Sequence, residues 1–298
     1  MMTTRRILFV ATTAVLTSIA FSAAGRGLAA ATPVQKQKPA ERLDACNVVW
    51  DSPSKDSFGS MPLGNGDIGL NVWVEEGGDL LFYISKSDAF DGNHVNRKLG
   101  RVRVSLNPNP FAAGLPFHQT LDLQNARIAV QAGKPGEAVS LKVWVDANRS
   151  VVHVQGRSDA PIEAKVSVES IRPQRQVERL ASAYAQPDPP DVLLADKADR
   201  LLWCFRNEGS TWSARLAQEG SSEAAKKVND PLLRRTFGAL ARGPGLVRQS
   251  PNTLAAAKTN TLELAIHVLN DQTDTMEQWQ AQLDKQVAAT DKLDPTET

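Results

Sequence analysis

A side-chain alternation of period two recurs from about residue 43 to residue 270 and constrains this chain more than any other feature. Val102, Val104 and Leu106 alternate with Arg101, Arg103 and Ser105, and Val139, Leu141, Val143 and Val145 with Ala138, Ser140, Lys142 and Trp144. Ile162, Ala164, Val166 and Val168 alternate with Glu163, Lys165, Ser167 and Glu169, and Leu262, Leu264, Ile266 and Val268 with Thr261, Glu263, Ala265 and His267. Successive side chains of a strand point to opposite faces, so each run buries one face and exposes the other. Turn chemistry separates the runs at Gly77-Gly78, Asn107-Pro108-Asn109-Pro110, Gln124-Asn125 and Gly133-Lys134-Pro135-Gly136. Ten or more strands at this spacing predict an all-β fold, a large antiparallel two-sheet β-sandwich, and not βαβ units.

Two stretches interrupt the pattern. Residues 172–191 ("RPQRQVERLASAYAQPDPPD") are polar and end in prolines, which predicts a long loop with at most a helical turn. Residues 209–231 ("GSTWSARLAQEGSSEAAKKVNDP") predict a similar excursion with short helical pieces. The period then changes. Asp274 and Glu277 are spaced as a capping box, and Met276, Trp279, Leu283 and Val287 fall at helical spacing, so an amphipathic helix closes the segment 271–298.

The first residues stand apart from this fold. Arg5-Arg6 precede the apolar run "ILFVATTAVLTSIAFSAA" and the small residues of "GLAAATP", the order of an export signal cleaved near Ala31. The paired arginines leave general and twin-arginine export both open. Residues 32–42, polar with two prolines, read as a linker, and the β-domain spans 43–270. No second segment is apolar enough to span a bilayer. The signal carries three arginines and no acid, so its removal takes the formal charge from +1 to −2. A near-neutral mature protein has no electrostatic footprint for nucleic acid or anionic lipid. The expected location is periplasmic or extracellular. There Cys46 and Cys204 can pair, or remain as buried thiols.

The glycine-rich stretch "PLGNGDIGLNVWVEE" (62–76) is the obvious place to look for chemistry. A phosphate loop or dinucleotide fingerprint requires its glycines to open a helix. Gly64, Gly66 and Gly69 open a strand instead, so they read as turn residues. His94, His118, His153 and His267 are isolated, so no metal or other cofactor is expected, and the last two sit on outward strand faces where solvated histidines are ordinary. No G-x-S-x-G elbow is present. Asp67, Asp79, Asp88 and Asp91 gather in the first strands. A pair of them about 5–10 Å apart suits glycosidic chemistry, but acids in loops are ordinarily solvated turn residues. Trp73 and Trp144 fall opposite the core faces of their strands. Each could stack a sugar ring, pack under a loop or cover a partner domain.

Several ordered motifs carry a resemblance. "WDSPS" (50–54), "MPLGNGDIGLNVWVEEGGDLLFYISKSDAF" (61–90) and "KLGRVRVSLNPNPF" (98–111) resemble the N-terminal β-domain of bacterial glycoside hydrolases similar to family 95 α-L-fucosidases. "FHQTLDLQNARIAV" (117–130), "VWVDANRSVVHVQGRSDAPI" (143–162) and "DPLLRRTFGALARGPGLV" (230–247) continue the likeness, which covers residues 45 to 290 and points to an uncharacterised bacterial branch. In such proteins this module is a β-supersandwich joined by a linker helix to an (α/α)6 toroid holding the catalytic groups. Where the fucosidases carry an asparagine–acid–acid stretch, this chain has Ser85, Lys86, Ser87 and Asp88.

The resemblance implies a non-catalytic module that is truncated before, or encoded separately from, its catalytic toroid and acts with it on carbohydrate. No catalytic residue is therefore expected here. Asn65, Asp67, Lys86 and Asp88 are the candidates for reaching a shared sugar cleft, against plain turn formation. Trp73 and Trp144 are the candidates for a domain interface or for sugar stacking. A self-sufficient carbohydrate-binding or surface-interaction protein is the alternative, and a stand-alone hydrolase using Asp67 and Asp88 is a third reading.

Overall fold

Two strands of unusual length organise the fold of this computed structural model, which describes residues 43–170 and 191–292. The loop expected over 172–191 and the expected export signal fall almost wholly or wholly outside these residues. Among the described residues fourteen strands follow one another, the first seven being β1 (Val48–Trp50), β2 (Met61–Gly64), β3 (Ile68–Val74), β4 (Asp79–Phe90), β5 (Asn96–Asn107), β6 (Phe117–Asp122) and β7 (Arg127–Ala132). Then follow β8 (Val139–Val145), β9 (Val151–Glu169), β10 (Val192–Leu194), β11 (Arg200–Arg206), β12 (Arg235–Arg242), β13 (Leu246–Ser250) and β14 (Thr253–Gln272). Short helices α1 (Trp212–Gln218) and α2 (Ser222–Ala225) fill the excursion between β11 and β12, and α3 (Met276–Thr290) follows β14.

All strand pairings are antiparallel, and β9 and β14 carry both sheets. The first half of β9 pairs with β8 and the second half of β14, which continues to β12, β11 and β10; beyond β8 lie β7, β6 and β1. The second half of β9 pairs with β5, and so with β4, β3 and β2, while the first half of β14 pairs with β13. The change of sheet falls where the register slips. Ile162 faces Thr259 but Arg157 faces Thr261, so β9 carries extra residues through Ser158–Pro161. Pro161 has no N–H to give to a ladder, which suits it to this bend.

The alternating runs are strands with the faces their patterns predict. Val102, Val104, Leu141, Val143, Val166, Leu262, Leu264 and Ile266 are all buried in one core between the sheets. Full burial of each such side chain stabilises the fold by about 1.5–3 kcal/mol. A smaller cluster lies on the other side of the first sheet. There Trp279, Leu283 and Val287 of α3 cover Leu202, Cys204 and Leu240 of β11 and β12. Every residue of β11 is buried, with Leu201, Trp203 and Phe205 in the main core and Leu202 and Cys204 under the helix.

The start of α3 differs by one residue from the expected capping box. Thr275 is the N-cap, its hydroxyl accepting from the Gln278 N–H, while the Gln278 side chain accepts from the Asp274 N–H at 3.0 Å. Threonine and glutamine thus do what Asp274 and Glu277 were expected to do. Cys46 is exposed, Cys204 lies under α3, and the two form no disulfide.

Candidate functional site

Asn65, Asp67, Lys86 and Asp88 come together at one end of the sandwich. The turn between β2 and β3 is built around Asn65, whose Oδ1 accepts from the N–H groups of Asp67 (3.0 Å) and Ile68 (2.8 Å). Gly64 allows the close approach, because a Cβ there would lie 2.5 Å from the Ile68 carbonyl oxygen. Gly66 holds φ at +92°, a conformation that a glycine takes without steric cost. The Asn65 Nδ2 group donates to the carbonyls of Asp146 (2.8 Å) and Arg149 (3.1 Å) in the β8–β9 connection. The glycine motif is thus a turn whose side-chain amide ties two distant hairpins together.

The charged members complete the tie. Lys86 Nζ donates to Asp67 Oδ1 at 2.6 Å and to Asp88 Oδ1 at 2.9 Å, and Ser150 Oγ donates to Asp67 Oδ2 at 2.6 Å. Burial by itself would raise the Asp67 carboxyl. The hydrogen bonds from Lys86 and Ser150 and the lysine charge outweigh it and hold the group below its ordinary value. Burial would likewise lower Lys86, and its bonds to Asp67 and Asp88 reverse the sign and raise it. Neither Asp79 nor Asp91 belongs to this group. Asp79 pairs with Arg103, which also binds Glu75 and Glu169, and buried Asp91 accepts from the Asn93 and Val95 N–H groups and from Arg97.

The two tryptophans part company. Trp73 is only 1% exposed and lies against Tyr83, with ring centroids 5.2 Å apart. Such a ring has no face left for a sugar or for a partner domain, so those two expectations are corrected in favour of packing within the chain. Trp144 is half-buried, and its indole stacks on His153 with centroids 4.8 Å apart and planes 13° from parallel. It stands at the edge of an open groove of about 570 Å³ on the outer face of the first sheet. Cross-strand register lines up Trp144, His153, Ala265 and Arg242, with Lys142, Gln155 and Glu263 in the next outward row. Ala265 forms the low point between its large neighbours. Gly243-Pro244 and Asp199 form the far wall.

The outward histidines also depart from expectation. His267 is 1% exposed, and neither ring nitrogen has a hydrogen-bond partner among the described residues. Burial, then the charge of Arg242, pushes its pKa down to about 4. His153 is lowered too, chiefly by burial. Both imidazoles are covered because the face judged open carries α3 at one place and Trp144 at another. Among the described residues no three His, Cys, Asp or Glu side chains gather as a metal site, and no helix is long and apolar enough to cross a membrane.

Sequence reasoning did not single out Asp146, Arg149 and Ser150, which receive the glycine turn, nor Gln155, Glu263 and Arg242, which surround the groove. The outward alanine in "ELAIHV" is a signal for the groove, since a small residue on a polar sheet face leaves a depression among long side chains.

Fold and site together define an antiparallel β-sandwich module with a locked polar turn at one end and an aromatic-edged groove on one face. Residues 49–298 match DUF5703_N, described as a domain of unknown function (DUF5703), and the chain belongs to that family. No curated protein sequence matches it. Among solved structures, it is similar to a human-microbiome protein assigned as a kojibiose phosphorylase, with TM-score 0.41 and 10% identity over 84% of this chain and 33% of that one. The chain thus spans about a third of that protein's length.

Proposed function

We propose that this chain contributes the non-catalytic β-module of an exported, glycoside-hydrolase-like protein, which works on carbohydrate together with an (α/α)6 domain. The motif resemblance to the front domain of family 95 fucosidases and the β-sandwich architecture support this reading. The observation that carries it is the position of Lys86 between Asp67 and Asp88. Glycosidic cleavage requires one carboxyl that still holds its proton near neutral pH, besides a carboxylate acting as base or nucleophile. Asp67 is shifted the opposite way, towards the ionised form, by its bonds to Lys86 and Ser150. In this reading Asn65, Asp67, Lys86 and Asp88 fix a turn at the rim of a shared cleft, and the exposed parts of the two carboxylates are what the partner and substrate meet.

The test is an assay of residues 32–298, alone and paired with the (α/α)6 domain encoded with it, on aryl fucosides, galactosides and glucosides. The panel is broad because Ser85-Lys86-Ser87-Asp88 departs from the fucosidase pattern. The expected result is no turnover by the module alone and turnover by the pair. Hydrolysis by the purified module that disappears in Asp67→Asn would overturn the proposal and restore the stand-alone hydrolase.

A further inference from the structure

We infer that the groove beside Trp144 is a binding site for an uncharged sugar ring of a glycan. The inference takes its ligand class from the carbohydrate reading above, but it concerns a different surface and does not need the module to be inactive.

The argument starts from the platform. The Trp144 indole and the His153 imidazole are held parallel against each other, so the aromatic edge they present to the groove is already organised. His153 supplies that backing as a positioning residue, with its own Nε2 buried and unavailable to a ligand. The volume of about 570 Å³ lies within the roughly 300–1,000 Å³ usual for small-ligand sites. An aromatic edge, a depression at Ala265 and amide, carboxylate and guanidinium groups around it suit a ring with apolar faces and a belt of hydroxyls. Gln155 and Glu263 are neighbours in the β9–β14 register and offer donors and acceptors side by side.

Charge selects among sugars. Among the described residues lining the groove Arg242 is the one lysine or arginine, and it is already ion-paired with Asp291 just beyond the end of α3, while exposed Lys142 stands in the neighbouring row. The carboxylates of Glu263 and Asp199 stand exposed in the same lining. The local field therefore disfavours uronic or sulfated rings and favours neutral ones. The wall is backbone-determined as well. A Cβ on Gly243 would lie 1.9 Å from the Glu263 carbonyl oxygen, so that turn cannot approach the strand with any other residue.

The experiment is calorimetric titration of residues 32–298 with methyl glycosides of glucose, galactose, mannose and fucose, their β- and α-linked disaccharides, and glucuronic acid. At least one neutral sugar is expected to bind, with Trp144→Ala weakening it roughly tenfold or more. Because loss of the indole also bares His153, the exposed substitution Glu263→Ala and the rim substitution Gln155→Ala are measured alongside, with unfolding curves confirming each fold. Each is expected to weaken binding about fivefold or more, as loss of one hydrogen bond does. No binding by any sugar, binding that survives all three substitutions, or tighter binding of glucuronic acid than of glucose would each overturn the inference. A groove that takes an adjacent helical polypeptide but no sugar would assign it to a domain interface and overturn it too. The hydrolysis assay of the preceding section leaves these readouts untouched, so the two proposals fail separately.

Discussion

Asn65 and Asp146 lie 81 positions apart in the sequence, and the Asn65 side-chain amide donates to the Asp146 carbonyl at 2.8 Å. The same amide accepts two backbone N–H bonds within its own turn, so one side chain satisfies groups in two hairpins. Replacing it by alanine leaves partly buried N–H and C=O groups without partners. Asn65→Ala is expected to lower unfolding free energy by about 2 kcal/mol, measured by urea denaturation. Hydrogen exchange at the Asp67 and Ile68 amides is expected to accelerate in the variant. Unchanged protection at those two amides would show that the turn holds itself without Asn65.

Lys86 is the buried member of its triad, with 10% of its side chain exposed against 36% for Asp67 and 48% for Asp88. Solvent screening of the two acids reduces what the pairs contribute, so Lys86→Met is expected to cost about 1 kcal/mol near neutral pH, less than for a fully buried pair. The sign of the pH dependence follows from Asp67. Its folded pKa lies below the ordinary 3.8, so the contribution is present above that value and is lost as pH falls through the lower folded value. Lys86 is raised above its ordinary 10.5, so its contribution is present below that value and lost as pH rises through the higher folded one. Denaturation curves of both proteins should stay separated from about pH 5 to about pH 9 and converge in strong acid. A gap that persists unchanged at about pH 2 would mean that Lys86 acts through packing alone.

The sandwich was legible because its cause is local. Within β5, β8, β9 and β14 lie the runs 102–106, 139–145, 162–168 and 262–268, in which every second side chain is apolar and joins the core. What period two does not contain is whether an outward face stays open. His267, Trp73 and Leu202 all point away from the main core, yet each is covered. For Leu202 the information was present in two pieces: the unbroken apolar run "LLWCF" (201–205) and an amphipathic helix some 70 residues later. A strand with no polar face needs cover on both sides, and α3 is that cover. The clustering of Asn65, Asp67, Lys86 and Asp88 was foreseeable from one hairpin, since Ile68 faces Lys86 across β3 and β4. Their partners Asp146 and Ser150 come from the other end of the chain's first half, where no local pattern points back.

The contact between α3 and β11 is testable through Cys204. Its thiol is 1% exposed and faces the Met276 sulfur at 3.9 Å, while Cys46 is open to solvent. A thiol reagent such as Ellman's is expected to modify one cysteine in the native protein and two after Trp279→Ala. That substitution empties the centre of the helix contact and costs about 3–5 kcal/mol. A Cys46→Ser background makes the readout a single event. Rapid labelling of Cys204 in the otherwise unaltered protein would show that the helix does not stay seated on the sheet.

His267 makes acid stability specific to one side chain. Its imidazole is neutral when folded, with a pKa pushed down to about 4, and takes its ordinary 6.5 when the chain unfolds. The facing charges are Arg242 from β12, His153 from β9 and Asp291 after α3. The first two oppose protonation and the third favours it, and burial exceeds all of them. Because the folded value is depressed, the stabilising contribution is present above 6.5 and is lost as pH falls towards 4, about 1.4 kcal/mol for each pH unit. Wild-type protein is thus expected to lose about 2 kcal/mol from this residue between pH 7 and pH 5. In His267→Leu the imidazole is gone and an apolar side chain of similar bulk faces Leu240 across β12 and β14. The variant should lack that portion of the slope, so the stability difference moves in its favour by about 2 kcal/mol between pH 7 and pH 5. Urea midpoints of both proteins at the two pH values decide the matter, since other acid-sensitive groups contribute equally to each and cancel in the difference. Equal losses in the two proteins would place the acid sensitivity elsewhere and show that the covered face tolerates an imidazolium.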